Sequence, residues 1–96
     1  MSNKVNVAIQ VIPEGQREDV YFIVDKVIEF IGSSGIIFKV CPFETVLEGD
    51  YDTIMKLVKD IPEVCYKNGS RNVLINLKIQ TNSNSDVTIE DKMKNY

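Results

Sequence analysis

The stretch Thr45-Val46-Leu47-Glu48-Gly49-Asp50 predicts a short strand that turns sharply into a helix. Asp50 is the expected N-cap, Gly49 provides the turn, and Glu48 places a carboxylate at the rim of the sheet. Small polar ligands often bind at such a junction, because backbone amides without intrahelical partners collect at a helix N-terminus. A carboxylate beside these amides would instead select a cationic or amidine-like ligand. We therefore treat this junction as the centre of a candidate binding site.

Upstream of the junction, residues 4–12 alternate strictly between two faces and predict a strand. The odd positions are all apolar, so this face is expected to pack on the core. The other face has a mixed character and suits either an oligomer contact or the floor of a ligand site. Its members are Asn6, Ala8, Gln10 and Ile12.

A helix and two short strands are predicted between this first strand and the junction. Residues 18–31 place apolar side chains at helical spacing, and Gly32-Ser-Ser-Gly35 is expected to end the helix. Residues 36–41 and 43–47 are rich in β-forming side chains, and Pro42 separates the two runs. So short a break indicates a hairpin, or one bent strand that changes its partner.

Downstream of the junction, the sequence predicts a second helix, a strand and a short third helix. Pro62 is expected to kink the second helix, or to break it before a short new helix at 62–67, because proline lacks an amide and clashes with the preceding turn. Residues 71–80 alternate and form the clearest strand. Thr88-Ile-Glu-Asp91 resembles a capping box and predicts a short helix to about Asn95. The apolar face of the second helix is formed by Ile54, Leu57, Val58 and Ile61.

The predicted order β-α-β-β-α-β, with a short C-terminal helix, indicates an α+β fold with one ferredoxin-like domain over residues 1–96. Two right-handed crossovers place both main helices on one face of an antiparallel sheet. The other face stays open unless another subunit covers it. Because this face carries Ala8, Ile12 and Leu74 among its amides, we predict a homo-oligomer, dimer or tetramer, that associates through the sheet.

The composition disfavours several functional classes. The net charge of −3 and the scattered basic residues argue against a nucleic-acid surface. The chain has no histidine, which excludes Ser-His and Cys-His catalysis, and its two cysteines, Cys41 and Cys65, are a poor metal-ligand set and are expected to be buried. No metal or other cofactor is expected. No apolar run approaches the roughly 20 residues of a membrane span, and the N-terminus lacks a signal-peptide pattern, so a cytoplasmic location is expected.

Three blocks of sequence carry a family resemblance: Val11-Ile12-Pro13-Glu14-Gly15, the run 38–50 that contains Thr45-x-x-Glu48-Gly49-Asp50, and Thr88-Ile-Glu-Asp-Lys92. In order and spacing, over essentially the whole chain, they resemble the small thiamine-binding protein family, once catalogued as an uncharacterised conserved family. The resemblance implies a ferredoxin-like fold and dimers that pair into tetramers through their sheets. It also implies binding of thiamine or its pyrimidine moiety, with no established enzymatic activity.

The resemblance favours Glu48 as a ligand contact that pairs with an aminopyrimidine edge or offsets a thiazolium charge. From the residues alone, Glu48 could equally be an acidic side chain that stabilises a helix dipole. Thr45 is either a β-branched strand residue or a hydroxyl that bonds a ring nitrogen. Phe38 and Phe43 are expected in the core, although either could form a wall for the ring. Three strand amides complete the candidate ligand-binding set: Asn6, Gln10 and Asn76.

Arg17 raises a different possibility, because an arginine after the first strand of a ferredoxin-like fold resembles the phosphate-holding residue of acylphosphatase. Residues 43–47 lack the asparagine that such an enzyme needs, and the Gly-rich phosphate loop is missing. We therefore predict a non-catalytic carrier, buffer or sensor of thiamine or a related aminopyrimidine. Its pocket would lie near residues 45–50, within one subunit or at an interface, and phosphorylated forms would be disfavoured if Glu48 lay near the phosphate. The alternatives are a regulatory oligomer that binds another metabolite or anion, and a structural interaction module.

Overall fold

A four-stranded antiparallel sheet, covered on one face by two long helices, forms the framework of the molecule. The computed structural model describes residues 3–96, apart from the side chains of Arg17 and Glu18. The strand order β2-β3-β1-β4 and the element order confirm the predicted ferredoxin-like α+β fold. The elements are β1 (Val5–Pro13), α1 (Arg17–Ser33), β2 (Ile37–Val40), β3 (Thr45–Gly49), α2 (Tyr51–Lys67), β4 (Val73–Gln80) and α3 (Ile89–Met93).

The core lies between the sheet and the two long helices, and its members follow from the two sequence periods. Alternation along β1 buries Val5, Val7 and Ile9 on the helix-covered face. Burying one such side chain contributes about 1.5–3 kcal/mol to stability. Helical spacing provides the opposing layer, which consists of Ile23, Val27, Ile31, Ile54, Leu57, Val58 and Ile61.

The connection between β2 and β3 is a hairpin, the first of the two predicted arrangements. It is closed by the Cys41 N–H, which donates to the carbonyl of Glu44 at 2.9 Å. Beyond β3, Asp50 caps α2 as predicted, because its carboxylate accepts the Thr53 N–H at 3.0 Å. Gly49, with a φ of 156°, provides the turn between strand and helix in a conformation that favours glycine.

Helix α2 runs unbroken through Pro62, so the predicted break and new helix at 62–67 are wrong. The residues on either side of the proline explain this result. Val58, Ile61 and Cys65 are buried on one face of α2, before and after Pro62. Their burial offsets the loss of one amide hydrogen bond and holds both halves of the helix against the sheet.

The C-terminal segment returns to the beginning of β1. The Val87 N–H donates to the carbonyl of Lys4 at 2.9 Å, and the Lys4 N–H donates to the Asp86 carboxylate at 2.7 Å. Helix α3 then begins with the predicted cap, in which Thr88 Oγ1 accepts the Asp91 N–H at 3.1 Å. These bonds attach α3 to the end of the sheet where β1 begins.

Candidate functional site

A cavity of about 360 Å³ lies on the open face of the sheet, beside α3. Short apolar side chains from the two central strands form the middle of its floor and leave space above them. Ile89 and Met93 of α3 add apolar surface, and Ile79 also lines the cavity. Ile79 is 42% exposed although its register partner Val7 is buried, because Ile79 lies near the end of an edge strand. The floor is one row of paired residues, one from each strand: Lys39, Val46, Ala8 and Lys78.

Asn6 lies on the same face, in a row between Glu48 of β3 and Gln80 of β4. It lines the cavity and is only 4% exposed. Its Nδ2 donates to the carbonyl of Val87 at 3.0 Å, which fixes the orientation of the amide. Its Oδ1 is buried and has no hydrogen-bond partner among the described residues. A buried acceptor without a donor costs about 1–3 kcal/mol, so this atom favours a ligand that brings one.

The Glu48 carboxylate is already engaged by α3. Its Oε1 accepts the N–H of Ile89 at 2.5 Å, and the side chain is 8% exposed. Ile89 is the first residue of α3, so Glu48 satisfies an amide that has no intrahelical acceptor and places negative charge at the positive end of the helix. Glu48 is not among the residues that line the cavity. Glu48 therefore connects β3 to α3, and the helix N-terminus that it contacts is that of α3 rather than that of α2.

The cavity is bordered by basic side chains. Lys39, Lys78 and Lys92 line it, whereas Glu44 is its acidic lining residue. Lys78 Nζ lies 3.3 Å from Glu44 Oε1. Lys39 and Lys92 form no ion pair with any residue that the structure describes. The cavity therefore carries a net positive charge, although the whole chain has a net charge of −3.

Comparison with known proteins gives the family. Residues 7–96 match the model of a family described as thiamine-binding protein. The chain belongs to this thiamine-binding protein family. A UPF0045 protein of Clostridium perfringens is 37% identical over 91 residues, which cover 95% of each chain.

Solved structures of similar proteins agree with this membership of the thiamine-binding family. A domain of unknown function, DUF77, from Bacillus cereus is 34% identical, with a TM-score of 0.91 over 98% of this chain and 90% of that one. A Thermotoga maritima protein, provisionally assigned to thiamine biosynthesis or salvage, is 30% identical. Its TM-score is 0.89, over 97% of this chain and 98% of that one.

Thr45 and Glu48, which the thiamine-binding family resemblance suggested as joint ligand contacts, lie on opposite faces of β3. They are three residues apart, and alternate strand residues point to opposite sides of a sheet. Thr45 is buried on the helix-covered face, opposite Ile9. Within one subunit the two side chains therefore point away from each other, and a joint role in ligand binding stays a prediction.

Asn6 alone among the predicted set lines the main cavity, whereas Thr45, Gln10 and Phe43 line a second cavity near the hairpin turn. Phe38 packs on the helix side, where a Cβ at Gly32 would lie 3.6 Å from its ring. Phe43, in the hairpin turn, is 83% exposed and borders a smaller cavity of about 110 Å³. Gln10 accepts a hydrogen bond from Asn76 at 3.2 Å, outside the main cavity.

Several cavity residues were missed from the sequence. The position of Ala8 could have indicated the cavity from the sequence, because a small apolar residue in the middle of the open face leaves room above the sheet. The lysines could not have been grouped from the sequence, because they lie on β2, β4 and α3, and only the tertiary structure brings these elements together. Cys41 was expected to be buried but is half-buried and lines the cavity. Cys65 is buried as expected, and this burial raises the pKa of its thiol.

Residues 3–96 contain neither a cluster of metal ligands nor a membrane-spanning helix. No group of three or more metal-ligating side chains is found in that part of the chain. None of the helices described there is long and apolar enough to cross a membrane. The side chain of Arg17, on which the acylphosphatase alternative depends, lies outside the described residues.

Proposed function

We propose that this chain binds thiamine or a related aminopyrimidine in the main cavity and does not turn it over. The observation that carries the proposal is the buried, unpartnered Oδ1 of Asn6, a residue that lines this cavity together with the apolar Ala8 and Val46. Membership of the thiamine-binding family supports this choice of ligand. The provisional assignment of the Thermotoga maritima relative to thiamine biosynthesis or salvage agrees with it.

The cavity suits a flat heterocycle with one polar edge. Its volume of about 360 Å³ is within the range of small-molecule sites, roughly 300–1,000 Å³. A ring placed over Ala8 and Val46 would contact apolar side chains, and the Met93 thioether favours contact with an aromatic edge. The exocyclic amine of an aminopyrimidine would donate to Asn6 Oδ1 and remove the cost of leaving that acceptor unpaired.

A binding role, as a carrier, buffer or sensor, also fits the side chains available. The chain contains no histidine, so the usual general base with a pKa near neutrality is missing. Glu44, the carboxylate that lines the cavity, lies 3.3 Å from Lys78 Nζ, and the Glu48 carboxylate accepts a backbone N–H of α3. The proposed mechanism is therefore selection by shape and by one hydrogen bond.

The test is thermal unfolding with and without thiamine, and with its pyrimidine alcohol, for wild type, Ala8→Leu and Ala8→Ser. Leucine fills the space above the floor, whereas serine leaves it open at the same position. A ligand at about 100 times its Kd adds about 2.7 kcal/mol to the stability of wild type, a shift of several degrees. The shift should persist in Ala8→Ser and disappear in Ala8→Leu. If neither ligand stabilises wild type, or if Ala8→Leu keeps the full shift, binding in this cavity is rejected.

We also propose that the chain forms a homo-oligomer through the open face of its sheet. Ile12 and Leu74 are register partners on this face, and they are 42% and 59% exposed. Two adjacent, exposed aliphatic side chains on an uncovered sheet favour a contact that removes them from water.

Light scattering after size exclusion tests this association. Wild type should give a multiple of the 10.9 kDa chain mass, and Leu74→Lys should shift it toward the monomer. Tyr66→Lys is the matched control, because Tyr66 is an exposed hydrophobic residue on α2. A monomeric wild type, or an equal effect of both variants, contradicts association through this face.

A further inference from the structure

The row of residues that forms the cavity floor has the same charge at both ends. Lys39 of β2 pairs in register with Val46, and Lys78 of β4 pairs with Ala8. Three strand spacings of about 4.8 Å separate the two edge strands, or roughly 14 Å between the backbones. Lysine stems are long and flexible, so both ammonium groups can approach a group bound between them. Lys92, from α3, lines the same cavity.

The charges in the cavity do not cancel. Its lining holds three lysines and one glutamate, which leaves a local charge of +2 in a chain whose total is −3. Glu44 is engaged with Lys78 at 3.3 Å. Lys39 and Lys92 are left with no ion pair in the part of the chain that the structure describes. Two ammonium groups are thus available for an anion.

The carboxylate that could have repelled an anion is used elsewhere. Glu48 was expected to disfavour phosphorylated ligands if it lay near the phosphate. Its Oε1 instead accepts the N–H of Ile89, and its side chain does not line the cavity. The polar groups of the cavity therefore favour negative charge on the ligand.

We infer that the cavity selects a phosphorylated form of its heterocycle, with Lys39 and Lys92 as the specificity-determining residues. This inference rests on the proposed binding of thiamine or an aminopyrimidine. The ring occupies the apolar floor over Ala8 and Val46, and the phosphate lies among the lysines. A phosphate monoester carries about −1.5 to −2 charges near neutral pH, so the phosphate more than cancels the single positive charge of a thiazolium ring and is opposite in sign to the lining.

Isothermal titration tests the inference with thiamine, thiamine monophosphate, thiamine diphosphate and inorganic pyrophosphate. The proteins are wild type, the double variant Lys39→Gln/Lys92→Gln, and Lys59→Gln as a control from α2. Wild type and the control should bind the monophosphate at least about tenfold more tightly than thiamine. The double variant should lose this preference, because its affinity for the monophosphate should fall by more than its affinity for thiamine. Raising the salt from about 0.01 M to about 1 M should also reduce the preference, since the screening length falls from about 30 Å to about 3 Å.

The outcomes separate the two proposals. If no thiamine compound binds wild type, the proposed function fails and the inference fails with it. If thiamine binds as tightly as its phosphates, or if the double variant keeps the preference, the proposed function stands and the inference is rejected. If inorganic pyrophosphate binds as tightly as thiamine diphosphate, the site recognises the anion alone and selection of a phosphorylated heterocycle is rejected.

Discussion

Replacing Glu48 with glutamine should loosen α3 and leave the rest of the fold in place. The Glu48 carboxylate accepts the N–H of Ile89 at 2.5 Å, at the first residue of α3. A hydrogen bond to a charged group contributes about 1.5–3 kcal/mol, against about 0.5–1.5 kcal/mol for a neutral pair. Glutamine keeps a carbonyl acceptor, so the expected loss is the difference, about 1–1.5 kcal/mol.

The loss should appear locally, because α3 is held by few contacts. It has five residues and none of them is buried. Such a segment opens without unfolding the sheet. Amide hydrogen exchange in the native state is therefore the appropriate assay. A loss of about 1–1.5 kcal/mol should speed the exchange of Ile89 and its neighbours by roughly 5- to 13-fold. The Thr53 amide, capped by Asp50 in α2, serves as an internal reference that should not change.

Glu90→Gln is the matched control, because it removes the same charge from the first turn of α3 without touching the Ile89 hydrogen bond. Only the dipole interaction is lost there, typically about 0.3–1 kcal/mol at an exposed site, so a smaller acceleration is expected. Protein concentration must be held constant, since self-association would alter apparent stability. Unchanged exchange at Ile89 in Glu48→Gln would refute the assigned role. Equal acceleration at Thr53 would show a global effect and would refute it as well.

Three further predictions concern α2 and the thiols. Pro62→Ala should raise the free energy of unfolding by about 2 kcal/mol, because a proline inside a helix costs about 3 kcal/mol, whereas its restriction of the unfolded chain's entropy returns up to about 1 kcal/mol. Urea unfolding that shows no gain in stability contradicts this prediction. The bond from the Thr53 N–H lowers the pKa of Asp50, so its contribution to stability is present above the unfolded pKa and is lost as pH falls through the folded one. Asp50→Ala should therefore lower the melting temperature at about pH 7 and have little effect at about pH 2, and an equal effect at both pH values refutes this linkage. Iodoacetamide should modify the half-buried Cys41 in the folded protein and the buried Cys65 only after unfolding, and thiamine bound in the cavity should protect Cys41. Mass spectrometry of the peptides measures this modification, and equal reactivity of the two thiols in the folded protein contradicts the prediction.

The elements of the fold follow from the sequence because each depends on neighbouring residues. The alternation from Val5 to Ile9 predicts a strand with one buried face, and these residues are buried. The caps at Asp50 and Thr88 are equally local, since each joins residues three positions apart. Pro62 shows the limit of this reasoning, because the burial of residues around it outweighs its local preference against a helix.

The candidate site required the tertiary structure. A strand pattern states which residues share a face but not which strands are neighbours, so the row Lys39, Val46, Ala8 and Lys78 could not be predicted. The role of Glu48 depends on the return of the C-terminal segment, which bonds to β1 through residues as far apart as Lys4 and Asp86. Side-chain alternation is a local property of the backbone, whereas strand register and the docking of α3 depend on hydrogen bonds between distant residues. The sequence by itself therefore determined the strands, the helices and the buried faces, and the tertiary structure alone decided which charges and amides meet at the cavity.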